Sequence, residues 1–234
     1  MTSNAALGLK RSPSAELWHG AQRERALIAL FDLGRQKSFT LRAARLYSFG
    51  VFAGYGIAIA LSHAADRRAA MQGLIEAALI SLSWVVGALA ALGAAQILAQ
   101  GTERDALGAL AVQRGFSRAA LGRARTLSAA LRIARLVALP ALLLVALAVA
   151  RGSTPIWALV VAPGVIVYAS ALGLGLALLA HFSAELSPRH PRAMLIALVL
   201  GPLLISQAYP EVPNVPRLYS GLLAQLLDLG ARLA

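Results

Sequence analysis

The sequence predicts an all-α polytopic membrane protein: six transmembrane helices, an amphipathic helix before them, and a cytoplasmic helical segment between the second and third. Three observations predict it. First, 59% of the 234 residues are hydrophobic and only 14% are charged, against roughly half and a quarter in ordinary soluble domains. Lipid is the better solvent for such a surface. Second, the apolar residues are gathered into runs free of Asp, Glu, Lys and Arg, and a helix needs about 20 of them to cross a bilayer. Third, the 22 basic residues, against 10 acidic ones, lie between those runs as membrane-flanking charges do. The net charge of +12 therefore does not imply nucleic acid, whose binders gather basic residues and aromatics on one folded face.

The elements follow in order. Residues 1–13 lack the apolar core of a cleavable signal peptide and are expected to form a flexible tail. Ser14–Leu33 places Leu17, Trp18, Ala21, Ile28 and Phe31 on one helical side and Arg23, Glu24 and Asp32 away from it, with Gly34 as a stop. Residues 14–41 are thus expected to lie on the cytoplasmic leaflet, with Trp18 at the headgroups, or else to be a loosely packed tail. The six-helix domain is expected over 42–234, with spans at about 44–64, 76–99, 130–150, 155–180, 193–209 and 217–234. The third lengthens if Arg132 and Arg135 snorkel from its end. The fourth begins at Pro155, a favoured first-turn residue. The sixth carries Asp228 and Arg232, so its alternative is a helix lying at the interface.

Small residues punctuate the spans. Gly50, Gly54 and Gly56 in the first, and Gly173 and Gly175 in the fourth, permit close helix contact. The first set serves either packing within one subunit or a dimer seam. Pro140, Pro163 and Pro202 are expected to bend spans three to five.

Orientation follows from Lys and Arg. With the N-terminus in the cytoplasm, only Arg67, Arg68, Arg151 and Arg217 fall outside, and the other 18 of the 22 fall inside. The expected location is a bacterial cytoplasmic (inner) membrane.

The segment Gly101–Arg125 is the exception to the apolar pattern. Thr102-x-x-Asp105 resembles a capping box, and Glu103 and Asp105 favour the positive end of a helix. Leu107, Leu110 and Val112 supply an apolar side, and Gly115 is a natural stop. Ser117 then caps a second helix, with Phe116 and Leu121 at hydrophobic-staple positions. A loop between spans needs only a few residues, and this one spends about 25 on capped helices. Either a partner docks there, or the segment anchors in lipid headgroups.

GTERDALGALAVQRGFSRAALGRARTLS resembles the loop after the second span of ABC type-2 exporter permeases. The resemblance rests on Gly101, Thr102, Glu103, Leu107, Leu110 and the run Gly115-Phe116-Ser117-Arg118. It implies a permease subunit that forms the translocation path with a second copy of this chain or a homologous permease. It implies a separate ATP-binding subunit, holding ATP and Mg, docked on a coupling helix. Thr102, Glu103, Asp105, Leu107, Leu110, Arg114, Phe116 and Arg118 would form that coupling site. The N-terminal amphipathic helix resembles the family's connecting helix. The second cytoplasmic loop offers Glu185, Arg189 and Arg192 as a further ATPase contact or as plain solvated charge.

The chain itself has no G-x-x-x-x-G-K-[ST] loop, so it is not expected to be the ATPase. Nor is it expected to be an enzyme. The polar residues of the spans, His63, Glu76, Gln96, Ser170, His181 and Gln207, fall in no HExxH or GxSxG pattern. No catalytic, cofactor or metal residue is assigned, and the chain has no cysteine. The apolar spans favour a lipid-like or amphipathic cargo over an ion. The alternative function is a non-transporting membrane scaffold or assembly factor that recruits a cytoplasmic partner through the same segment.

Overall fold

A computed structural model describes residues 39–61, 67–99, 116–152 and 155–209, with the further positions 109, 112, 113, 211, 218, 219, 221, 222 and 225. Within these the protein is helical: α1 Phe39–Leu61, α2 Arg67–Ser81, a π-helical turn Leu82–Val86, α3 Gly87–Ala99, α4 Arg118–Ala150, α5 Pro155–Leu186 and α6 Pro191–Ala208. No strand occurs among the described residues. The α2–π–α3 stretch is continuous, so the expected second span is one rod from Arg67 to Ala99 with a π turn inside it.

Four helices are long and apolar enough to cross a membrane: Thr40–Leu61, Gly73–Ala99, Arg118–Ala150 and Ala158–Leu186. The protein is therefore read as an integral membrane protein. The helix of the fifth expected span is short. Its apolar part, Pro191–Gln207, is about 26 Å long at 1.5 Å per residue, below the ~30 Å of the hydrocarbon core. The reason lies in the sequence after it: Tyr209 leaves the helix with φ −127° and ψ 90°, one residue before Pro210. The sixth span, 217–234, falls outside the described residues except at a few positions, as do the tail and nearly all of the amphipathic segment 14–41.

Other boundaries shift for local reasons. Hydropathy places the third span at 130–150, but α4 starts at Arg118, because Ser117 caps it. The cap has extended backbone (φ −69°, ψ 147°), and its hydroxyl accepts from the Ala120 N–H at 3.2 Å. Hydropathy places the fourth at 155–180, yet α5 continues to Leu186, past His181 and Glu185, which bond each other one turn apart at 3.1 Å. Pro140, Pro163 and Pro202 all lie inside helices that continue through them.

Contacts set the directions. α1 runs parallel to α4: Ser48 donates to the Leu136 carbonyl at 2.9 Å, Gly56 faces Leu144 and Leu147, and the Arg151 guanidinium bonds the Ala60 carbonyl. The Arg151–Gly152 turn reverses the chain, and Gly152 takes φ +106° there, a conformation glycine adopts without a Cβ penalty. α5 returns antiparallel along α4, where a Cβ on Gly173 would sit 2.5 Å from the Ala130 carbonyl oxygen. The two backbones touch at that crossing. α3 runs parallel to α5, with Gly87 against Leu172 and Leu176.

The core is built from Ile75, Leu79, Leu82 and Val86 of the second rod, Ile133, Val137 and Leu144 of α4, and Val161 and Val165 of α5, each no more than 1% exposed. Outside it, Leu46, Phe49, Leu139, Leu159, Val167 and Leu204 stand exposed. Apolar side chains both inside and out suit a bundle solvated by lipid.

Candidate functional site

Three regions concentrate polar chemistry on this apolar frame. The first is the approach to α4. Thr102, Glu103, Asp105, Leu107, Leu110 and Arg114 lie outside the described residues. Ala109, Val112 and Gln113 are helical and exposed, Phe116 is half-buried, and Arg118 is exposed in the first turn of α4. Leu121, at the staple position, is fully buried. The second capped helix expected after Gly115 is thus present, and it is continuous with the span.

Arginines on α4 depart from expectation. Arg132 does not snorkel: it is 9% exposed, and Arg125 is 4% exposed. Ser128, also buried, lies between them on the same helix face, and Ala129 and Ala130 beside it are buried as well. α4 packs this face against its neighbours, whereas Arg123 and Arg135, on other faces, are exposed. An ionisable residue buried at such a position is expensive and usually functional.

The second region is the α5–α6 loop and the end of α3. Arg192, in the first turn of α6, donates to the Gln96 side chain. Arg189 and His190 are exposed beside it, and the three residues line a polar recess with Ala99 and Pro188. Glu185 is turned to His181 on its own helix. Of the second-loop residues expected to act together, Arg189 and Arg192 share the recess, while Glu185 does not line it.

The third region is not legible in the sequence. Between α3, α5 and α6 lies an apolar groove holding a cavity of about 250 Å³. One end is marked by three hydroxyls. Tyr168 donates to Ser83 at 2.9 Å, Ser83 donates on to the Leu79 carbonyl at 2.6 Å, and Tyr219 donates to the Ala171 carbonyl at 3.0 Å. The Tyr168 and Tyr219 rings meet edge to face at 6.4 Å. Gly175 admits Tyr219, since a Cβ there would overlap its hydroxyl. The π turn shapes the wall: one extra residue in the turn re-aims the side chains that follow, and Ser83 and Trp84 both line the groove.

No protein-family model, curated protein or solved structure matches this chain. Its chemistry has to be read from its own geometry. Hydroxyls are common in spans, so nothing in the run Leu82–Val86 singles out Ser83. Tyr168 and Tyr219 stand 51 positions apart, and only folding pairs them. The other polar span residues do not converge: Gln96 bonds Arg192, His181 bonds Glu185, and Glu76, Ser170 and Gln207 are exposed on separate helices.

A Cβ placed on Gly50 or Gly54 would meet nothing within 4 Å, and both residues are exposed. Gly56 alone of that set faces a neighbour, at 3.7 Å from Leu147. Packing within the subunit therefore uses Gly56, and the Gly50–Gly54 stripe looks outward.

Proposed function

We propose that this chain is the membrane-spanning permease subunit of an ATP-driven ABC exporter, forming the translocation path with a second permease copy or homologue. A separate ATP-binding subunit would dock on residues 101–118. One observation carries the reading: α4 is unbroken from its Ser117 cap to Ala150. A push delivered to the segment before Ser117 travels along one rod of about 50 Å. That rod crosses α5 at the backbone contact of Gly173 with Ala130, so tilting α4 must move α5 with it. Coupling between an ATPase and a path needs such a linkage between discrete packed elements.

The test is recruitment. Leu107→Asp with Leu110→Asp changes the docking segment and leaves every spanning run untouched. Two buried leucines contribute roughly 1.5–3 kcal/mol each, so their loss should weaken ATPase co-purification in detergent by several orders of magnitude. Membrane insertion should be unchanged. Normal recruitment by the double mutant would reduce the segment to a headgroup anchor and remove the coupling assignment.

A further inference from the structure

The polar recess and the apolar groove lie end to end along the same α3–α6 seam. Gln96 stands one helical turn beyond Leu92 of the groove, and Arg192 three residues before Leu195 of the groove. We propose that this seam binds one anionic phospholipid from the leaflet at the basic end of the bundle. Arg189 and Arg192 hold its phosphate, and one acyl chain lies in the groove.

Three features select this occupant. Charge comes first. Arg192 spends one of its five N–H donors on Gln96, which fixes the guanidinium, while Arg189 and His190 stand exposed at the same recess. Glu185, the carboxylate of the same stretch, is held by His181. Basic recesses between spanning helices are where anionic headgroups bind. Length comes second. From Leu92 to Ile80 the groove follows about 18 Å of helix, close to half of a ~30 Å hydrocarbon core, which is the depth of one leaflet. Chemistry comes third. The cavity of about 250 Å³ is smaller than the 300–1,000 Å³ usual for drug-sized ligands, so a chain suits it better than a ring system. At its far end the Tyr168, Ser83 and Tyr219 hydroxyls already donate to protein acceptors, so an incoming methyl terminus leaves no donor stranded. Trp84, Ile196 and Leu200 line the groove and are 43%, 45% and 46% exposed, an apolar wall open to a chain entering sideways from lipid. The inference needs only a membrane-spanning bundle, and neither the exporter reading nor the orientation enters it.

Trp84 is the reporter. The chain has three tryptophans, so Trp18→Phe with Trp157→Phe leaves Trp84 alone. This protein, in zwitterionic detergent micelles, is titrated with phosphatidylglycerol brominated along its acyl chain and, separately, with equally brominated phosphatidylcholine. Quenching is expected to reach half its limit at about a tenfold lower mole fraction of the anionic lipid. Arg189→Gln with Arg192→Gln should erase that difference. Val199→Trp, made with a non-fluorescent tryptophan analogue at position 199 to keep Trp84 the only emitter, should block the chain and lower quenching by both lipids. Added inorganic phosphate should leave the curves in place, because the chain supplies most of the binding. Superimposable curves for the two lipids would overturn the proposal and leave Trp84 reporting bulk lipid. A preference that survives both arginine changes in protein still monodisperse by gel filtration would equally overturn it, and displacement by phosphate alone would reassign the recess to a free anion.

Discussion

At the scale of single residues, the glycines separate into two kinds that the sequence does not distinguish. Gly173 lies where the α4 and α5 backbones touch, with the Ala130 carbonyl oxygen 2.5 Å from where a Cβ would be. Gly173→Ala must push two helices apart and is expected to cost about 1–3 kcal/mol, visible as a lowered midpoint of thermal unfolding in detergent. Gly54→Ala meets nothing within 4 Å and gains helix propensity of about 0.5–1 kcal/mol, so its midpoint should hold or rise. The hydroxyl trio gives a second residue-scale prediction. Ser83→Ala leaves the mostly buried Tyr168 hydroxyl without its acceptor, a loss of about 1–3 kcal/mol. Adding Tyr168→Phe removes the stranded group, and the double mutant should recover much of that loss. Equal and additive losses would mean that the two hydroxyls do not act as a pair.

At the scale of elements, the π turn and the long α4 decide how parts are joined. Leu82–Val86 lies in the middle of an otherwise regular rod, and a π turn holds one residue more than the α-helix around it. Deleting Val85 should restore a regular helix and rotate everything before it by about 100° relative to α3. Ser83 would then lose Tyr168, and Leu79 and Leu82, both fully buried now, would turn from the core. The deletion variant should therefore unfold at lower temperature than Val85→Ala, which keeps the register. α4 illustrates how a boundary is misread from hydropathy. Arg132 and Arg135 mark the start of an apolar run, but the helix itself is set by the Ser117 cap fifteen residues earlier. Charge content tells where lipid ends and says nothing of where a helix ends, because backbone hydrogen bonds are indifferent to the medium outside.

At the scale of the whole molecule, the bundle has one sparse end and one basic end. Arg151 caps the first by bonding Ala60, and Arg189, Arg192 and the start of α4 populate the second. The positive-inside rule then predicts the basic end in the cytoplasm. The chain has no native cysteine, so single cysteines at Ala69 and Ser153 should react with an impermeant maleimide on intact cells, and one at Ala111 should not. Labelling at Ala111 would invert the protein. Oligomeric state belongs to this scale as well. A permease of this size is half a path, and the outward-facing Gly50 and Gly54 offer a surface for close helix contact. In nanodiscs the active unit should contain two permease copies, and full transport by a monodisperse monomer would remove the exporter reading.

The helical class, the suitability for lipid and the uneven charge of the two ends are all readable from the chain before it folds. Composition, run length and charge placement are sums over many residues, and no single contact alters them. The Ser117 cap is readable too, because capping is decided within four residues of chain. Other features arise only when the helices pack. Gly173, and not Gly50, carries the close helix crossing, Arg125 and Arg132 turn inward, and Ser83, Tyr168 and Tyr219 gather at the end of an apolar groove. Those facts depend on the rotation of each helix about its axis. In a chain apolar on nearly every face, hydropathy leaves that rotation undetermined, and side-chain packing between helices fixes it.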